Sequence, residues 1–67
     1  MNIIHNPILL TMDLYKIDVE TLAASCGVPI RTMYRYITGE AIPQVHIAIR
    51  IAQSLNVSLD EIMMVWQ

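Results

Sequence analysis

Two arginines spaced four residues apart are the clearest candidates for chemistry in this sequence. At this spacing Arg31 and Arg35 share one face of a helix, whereas Met33 and Ile37 share another. The segment therefore predicts a helix with one apolar face and one face that carries two guanidinium groups. Two interpretations are open: the arginines form a solvated face paired with the chain's own acids, or they are presented to a partner.

The other polar residues offer no arrangement for catalysis or metal binding. Most of the six acidic residues lie at predicted helix starts or in a turn, where capping and helix-dipole effects explain them. Ser25-Cys26 with a distant histidine is not a nucleophile arrangement, and no glycine-rich phosphate loop is present. His5 and His46 are far apart in the sequence, and there is one cysteine. We therefore expect neither an enzyme nor a bound cofactor or metal.

A tight turn precedes the arginine-bearing helix and joins it to another short helix. Gly27 provides the positive φ that ends a helix in a left-handed cap. Val28 fills the angle between the two helices, and Pro29 is tolerated in a first helical turn. These residues predict helices over 19–26 and 29–37.

Three further helices are predicted over 7–15, 44–55 and 59–65, so the fold class is all-α. The capping residues at the ends of the predicted helices are Asn6, Asp18, Asn56 and the Ser58–Glu61 capping box. Helical periodicity predicts that these apolar residues face inward: Ile8, Met12, Tyr15, Leu22, Cys26, Ile47, Ile51, Leu55, Leu59 and Ile62. Ile17, between the first two helices, is expected to plug the core.

The chain is small, apolar and slightly acidic. Its 67 residues allow one domain, 1–67, with a small core. The hydrophobic fraction of 55% exceeds the roughly 45–50% of average proteins, so we expect a partner to cover part of the surface. No apolar run approaches the roughly 18 residues of a membrane span. With its single cysteine, the chain is expected to be a soluble cytoplasmic protein.

The two terminal segments are predicted to behave differently. Residues 1–5 have no helical period and are expected to form a flexible arm. Near the other end, four apolar residues cannot all be covered by one small core, and Trp66 is the best anchor for a partner. The predicted dimer interface consists of Met63, Met64, Val65 and Trp66.

The pattern around the predicted turn extends along most of the chain. It consists of Leu22-Ala23, Gly27-Val28, Gly39, Pro43, Ile51-Ala52, Leu55 and the run VSLDEI at 57–62. With these residues at these spacings, roughly residues 8–63 resemble the helix-turn-helix domain of the phage repressor and Cro family. The resemblance implies a compact five-helix bundle that contains a helix-turn-helix at 18–37 and binds operator DNA as a homodimer.

The resemblance also implies which residues contact DNA. Ile30, Arg31 and Arg35 would project from the second helix of the motif into the major groove. An arginine there can bind O6 and N7 of guanine, which discriminates by about 1–3 kcal/mol, and Ile30 can meet a thymine methyl group. Phosphate contacts are expected from hydroxyl groups and from the backbone N–H groups that begin the preceding helix, at Thr32, Tyr34, Thr38 and Val19. The residue-level alternative is that the arginines pair with Glu40 or Asp18.

Three features depart from a typical DNA-binding member of that family. The formal net charge is −2, although phosphate neutralisation supplies most non-specific DNA affinity. The loop 40–42 carries an acid and two apolar residues where family members often have lysine or arginine, so a phosphate clamp is expected to be missing. Met12 and Ile37 occupy positions that often hold a buried ion pair; we expect these two side chains to touch.

Two functions are therefore carried forward. The first is a dimeric, sequence-specific DNA-binding regulator with double-stranded DNA as its partner. The alternative is a protein-interaction module, an antirepressor or modulator that pairs its last-helix surface with a partner repressor and binds DNA weakly or not at all. A fragment of a larger regulator is a weaker third possibility, because the chain begins with Met1 and its last helix is capped.

Overall fold

The computed structural model describes residues 6–67, and these residues form five α-helices and a closing 3-10 helix. In chain order they are α1 (Pro7–Tyr15), α2 (Val19–Cys26), α3 (Ile30–Ile37), α4 (Val45–Leu55), α5 (Leu59–Ile62) and the 3-10 helix η1 (Met63–Trp66). The predicted all-α fold is confirmed. The predicted arm at 1–5 lies outside the described residues.

The helix starts follow the local capping chemistry of the sequence. The Asn6 side-chain oxygen accepts hydrogen bonds from the backbone N–H groups of Ile8 (3.0 Å) and Leu9 (3.1 Å). Asp18 and Ser58 cap α2 and α5 in the same way. Pro29 and Gln44 have extended backbones, with ψ of 149° and 157°, so α3 and α4 each begin one residue later than predicted.

Left-handed residues end three of the helices. Lys16, Gly27 and Asn56 have φ values of 57°, 71° and 56° and cap α1, α2 and α4. Gly and Asn adopt this conformation at the least steric cost, as predicted for Gly27 and Asn56. The last predicted helix, 59–65, is divided, because the chain tightens into the 3-10 helix after Ile62.

The core lies where α2 packs against α3 and α4, and where α1 packs against α4, α5 and η1. Its buried apolar side chains are Ile8, Met12, Leu22, Ala23, Cys26, Met33, Ile37, Ala48, Ile51, Ala52, Leu55, Ile62 and Trp66. Most of the predicted inward stripe is therefore buried, and the apolar face of α3 is turned inward. Within residues 6–67, no helix combines the length and apolar character needed to cross a bilayer.

Tyr15 is an exception to the predicted inward stripe. Its side chain is 63% exposed, so the expectation that it faces the core is wrong. The reason is the end of α1 at this residue: Lys16 turns the chain through a left-handed conformation, and Ile17 packs against the core there instead. The predicted plug at Ile17 is confirmed.

Met12 and Ile37 belong to one buried cluster. Met12 is almost fully covered, and Ile37 is covered as well. Two apolar side chains avoid the desolvation penalty of a buried ion pair at these positions. Their direct contact stays a prediction.

The two glycines of the structure offer a matched test of packing. Gly27 and Gly39 both have positive φ, 71° and 81°. An added Cβ would lie 3.6 Å from Arg50 Nη1 at Gly27 but 3.1 Å from the Val65 carbonyl oxygen at Gly39. We expect Gly27→Ala to lower the free energy of unfolding by about 1–2 kcal/mol, the strain of a left-handed non-glycine residue.

Gly39→Ala should lower the free energy of unfolding by more than Gly27→Ala does, because η1 must also move away from the new methyl group. Urea denaturation of the two variants measures the difference. Equal losses would show that the loop after α3 does not approach Val65 closely.

Candidate nucleic-acid interface

The outer face of α3 forms a shallow surface depression. It is lined by Ile30, Arg31, Tyr34, Arg35 and Glu40. Four of these residues follow the helical spacing i, i+1, i+4, i+5, and the fifth lies in the loop after the helix. Their side chains are exposed because Met33 and Ile37 turn the opposite face into the core.

The turn before α3 fixes the direction in which this face points. The backbone N–H of Val28 donates to the Ala23 carbonyl (3.1 Å), and that of Gly27 donates to the Ala24 carbonyl (3.3 Å). Arg50, from α4, donates to the Cys26 carbonyl (3.4 Å) and so brings a positive charge to the carbonyl end of α2. The spacing of residues in the sequence gives no sign of this contact, which joins residues 24 positions apart.

The two arginines differ in their surroundings. Arg35 Nε lies 3.7 Å from Glu40 Oε1, and the two side chains are 53% and 67% exposed. This distance is too long for a hydrogen bond, and such surface pairs contribute only about 0–1 kcal/mol. Arg31 is exposed and has no acidic partner within 4.0 Å among residues 6–67. Of the two arginines, only Arg35 pairs with an acid of the described chain, and this pairing is weak.

Asp18, the other acid proposed as an arginine partner, has a different role. Its carboxylate accepts a hydrogen bond from the backbone N–H of Thr21 (2.7 Å) and caps α2. Hydrogen bonding by the side chain and backbone of Thr21 lowers the pKa of Asp18. The carboxylate therefore stands at the start of α2, next to the backbone N–H groups expected to bind phosphate.

The predicted phosphate contacts are not gathered in one place. Tyr34 is exposed in the depression, but Thr32 is half-buried and does not line it. The Thr38 hydroxyl lies 3.0 Å from the Tyr34 carbonyl and donates within its own helix. Val19 is half-buried and packs against the core at the start of α2. Of the residues predicted to contact DNA, the structure brings together Ile30, Arg31, Tyr34 and Arg35.

The loop after α3 is uncharged beyond Glu40. Ile42 and Val45 are 71% and 69% exposed, and neither can donate to a phosphate through its side chain. This part of the chain therefore exposes apolar side chains and lacks the basic residue whose absence was noted from the sequence.

The carbonyl end of α3 is tied to both ends of the described chain. The Asn6 side-chain nitrogen donates to the Ile37 carbonyl (2.8 Å), and Trp66 Nε1 donates to the Tyr36 carbonyl (2.9 Å). Sequence analysis identified Asn6 as a helix cap but missed this second contact, which joins residues 31 positions apart.

Trp66 is therefore not exposed for contact with a partner, contrary to what the sequence had suggested. Its side chain is only 9% exposed and belongs to the core, so the expectation of an uncovered aromatic anchor is wrong. The reason is that the 3-10 helix directs the indole toward α3, where its N–H finds a carbonyl acceptor. Met63 and Met64 remain exposed, and Val65 is half-buried.

Cys26 is buried beneath the turn. Desolvation raises the pKa of its thiol, and the neighbouring Ser54 hydroxyl and Arg50 charge oppose that shift. A buried thiol of this kind is a poor nucleophile. Residues 6–67 contain no group of histidine, cysteine and acidic side chains that could hold a metal ion.

Comparison with known proteins agrees with this geometry. Residues 12–62, 51 of the 67 residues, match a family model described as helix-turn-helix. No curated protein and no solved structure shows significant similarity to the chain. The matched range includes α2, the turn and α3, and it confirms the resemblance to repressor and Cro-type helix-turn-helix domains. The chain belongs to the helix-turn-helix family of DNA-binding regulators.

Proposed function

We propose that the protein is a sequence-specific transcriptional regulator of the repressor and Cro type. It binds double-stranded DNA as a homodimer, and each subunit places α3 in the major groove. The observation that carries this proposal is the depression on α3, where two exposed arginines stand beside Ile30 and Tyr34. Half-sites on the DNA would then lie about one helical turn, roughly 34 Å, apart.

Arg31 and Arg35 supply the base contacts in this proposal. A guanidinium group presents a planar fork of donors that matches O6 and N7 of one guanine. Among residues 6–67 Arg31 has no acidic partner to give up, and Arg35 exchanges only a long, solvent-exposed contact with Glu40. Ile30 adds an apolar contact to a thymine methyl group.

Phosphate contacts position the helix in the groove. Tyr34, exposed in the depression, is the best placed donor, and we assign the same role to Thr32, Thr38 and the backbone N–H of Val19. Thr38 must first release the Tyr34 carbonyl, and the Asp18 carboxylate opposes an anion near Val19. We therefore assign most of the binding free energy to the arginines of α3.

Removal of one arginine tests the groove contact. Selection from random duplexes at low salt first identifies the preferred DNA. Arg31→Ala should then weaken binding to that duplex by roughly tenfold or more, because one bidentate base contact is lost in each subunit. The melting temperature should be unchanged, since the side chain is exposed. Fluorescence anisotropy measures the affinity.

Lys16→Asn is the matched control, because it removes the same charge at a left-handed position that asparagine tolerates. Its effect on affinity should be much smaller than that of Arg31→Ala. Equal losses in both variants, or no enrichment of any duplex by the wild-type protein, would contradict the proposal.

The salt dependence of binding tests how few cations reach the DNA. Two arginines on each α3 bring four guanidinium groups of a dimer to the DNA. Even if all four also neutralised phosphates, the plot of log K against log salt would have a slope no steeper than about −3.6. Arg50 does not add to this number, since it donates to the Cys26 carbonyl. A slope near −6 or beyond would mean that further cations contact phosphates and that the assignment to α3 is incomplete.

The proposed dimer contact is formed by η1. Met63, Met64 and Val65 supply the surface, and the buried Trp66 supports it from beneath. Methionine side chains are flexible and suit an apolar surface between subunits.

Charge placed on this surface tests the dimer. Met64→Asp should convert the protein to a monomer in sedimentation velocity, because a carboxylate would be buried without a partner. Leu14→Asp is the matched control on α1, where the replaced leucine is also exposed, and it should remain dimeric. A dimeric Met64 variant together with a monomeric Leu14 variant would instead place the interface on α1.

A protein-interaction module is the second candidate function. The exposed Ile42 and Val45 favour it, because they put apolar side chains in and just after the loop where a basic phosphate clamp would be expected in this family. Recovery of a partner repressor by the purified chain, with no loss of partner binding on combined Arg31→Ala and Arg35→Ala substitution, would favour this function over DNA recognition.

A further inference from the structure

The end of α3 is unusual in how its backbone acceptors are satisfied. The last four carbonyl groups of an α-helix have no partner within the helix. Here the Tyr34 carbonyl accepts from the Thr38 backbone N–H (3.1 Å), and the Arg35 carbonyl accepts from that of Ala41 (3.0 Å). These two bonds come from the loop that follows directly.

Distant residues donate to each of the last two carbonyls. Tyr36 accepts from the Trp66 indole (2.9 Å) as well as from the Gly39 backbone N–H (3.2 Å), and Ile37 accepts from the Asn6 carboxamide (2.8 Å). Both donor side chains are buried. Water is largely excluded from the buried Asn6 bond and partly excluded from the part-buried Trp66 bond, so both help to hold the helix in one orientation.

A small rotation of α3 would matter for DNA reading. The helix has eight residues and is therefore about 12 Å long, so a tilt of about 5° at its start moves its end by about 1 Å. Arg35 lies in the last turn and would move with it. Bidentate contacts require donors held within about 0.5 Å of the correct position.

We propose that Asn6 and Trp66 are positioning residues of α3. Loss of their hydrogen bonds to α3 lowers DNA affinity by more than the accompanying loss of global stability explains. This inference rests on the proposed function of α3. It identifies two specificity-supporting residues that lie outside the helix-turn-helix and touch no DNA. Both act on the same turn, which carries Arg35.

The first test is Asn6→Asp, an almost isosteric change. An aspartate still accepts the N–H groups of Ile8 and Leu9 and so still caps α1. It places a carboxylate oxygen against the Ile37 carbonyl where a donor stood, so the contact to α3 is lost. The second test is Trp66→Phe, which keeps an aromatic ring in the core but removes the indole N–H.

The control is Val57→Ala, a truncation at a half-buried position in the link between α4 and α5, outside α3 and the loop that follows it. All variants are compared at temperatures equally far below their own melting points. Amide hydrogen exchange at Gly39 and Ala41, whose N–H groups bond to the end of α3, reports on the helix without DNA. Anisotropy with the selected duplex reports on binding.

We expect exchange at Gly39 and Ala41 to be about two- to tenfold faster in the Asn6 and Trp66 variants, with α2 amides unchanged. Their affinity for the selected duplex should fall about tenfold, since a 1 Å displacement is enough for such an effect. The Val57 variant should lose less than about twofold in affinity once stability is matched.

The outcomes separate this inference from the function on which it rests. If the wild-type protein binds the duplex and all three variants lose affinity equally at matched stability, the positioning role is overturned and the proposed function stands. If exchange at the end of α3 is unchanged in both variants, the positioning role is likewise overturned. If the wild-type protein selects no duplex, both are overturned.

Discussion

An eight-residue helix is too short to be stable alone in water, and this constraint governs the structure around α3. Its inner face is buried through Met33 and Ile37, its start follows a left-handed glycine turn, and its end is bound by side chains from both ends of the described chain. The remaining helices can be understood as supports that hold one short helix with its polar face outward. Neither Asn6 nor Trp66 belongs to the motif that they stabilise.

The charge distribution sets a second constraint, because the chain is acidic overall but carries two arginines on one short helix. Several of the acids lie at helix starts, as Asp18, Asp60 and Glu61 do, where they satisfy backbone donors or favour the helix dipole. The net charge of −2 is therefore partly a by-product of capping. It lowers the attraction of the whole molecule for phosphate without removing the local donors that can read a base edge.

Local features could be predicted from the sequence, whereas contacts between distant residues could not. The caps at Asn6, Asp18 and Asn56 and the turn at Gly27 depend on a few neighbouring residues, so pattern and residue type were sufficient to predict them.

The expected burial of Tyr15 was wrong because periodicity does not reveal where a helix end leaves the core. The hydrogen bond of Trp66 joins residues 30 positions apart, and nothing in the spacing of either segment indicates it. The outward direction of Arg31 and Arg35 followed from helical spacing, but the weak pairing of Arg35 with Glu40 required coordinates.

Glu40 stands beside the guanidinium group of Arg35, in the same depression as the residues proposed to read bases. Its carboxylate repels charged phosphates more strongly than it repels the uncharged edges of base pairs. In a regulator that reads DNA with α3, this repulsion falls most heavily on contacts with random sequence, which rest on phosphate attraction alone. Such a protein would spend little time sliding along the chromosome and would reach its target mainly by repeated free diffusion. A scarcity of positive charge would then limit occupancy of decoy sites, rather than being only a deficit in affinity.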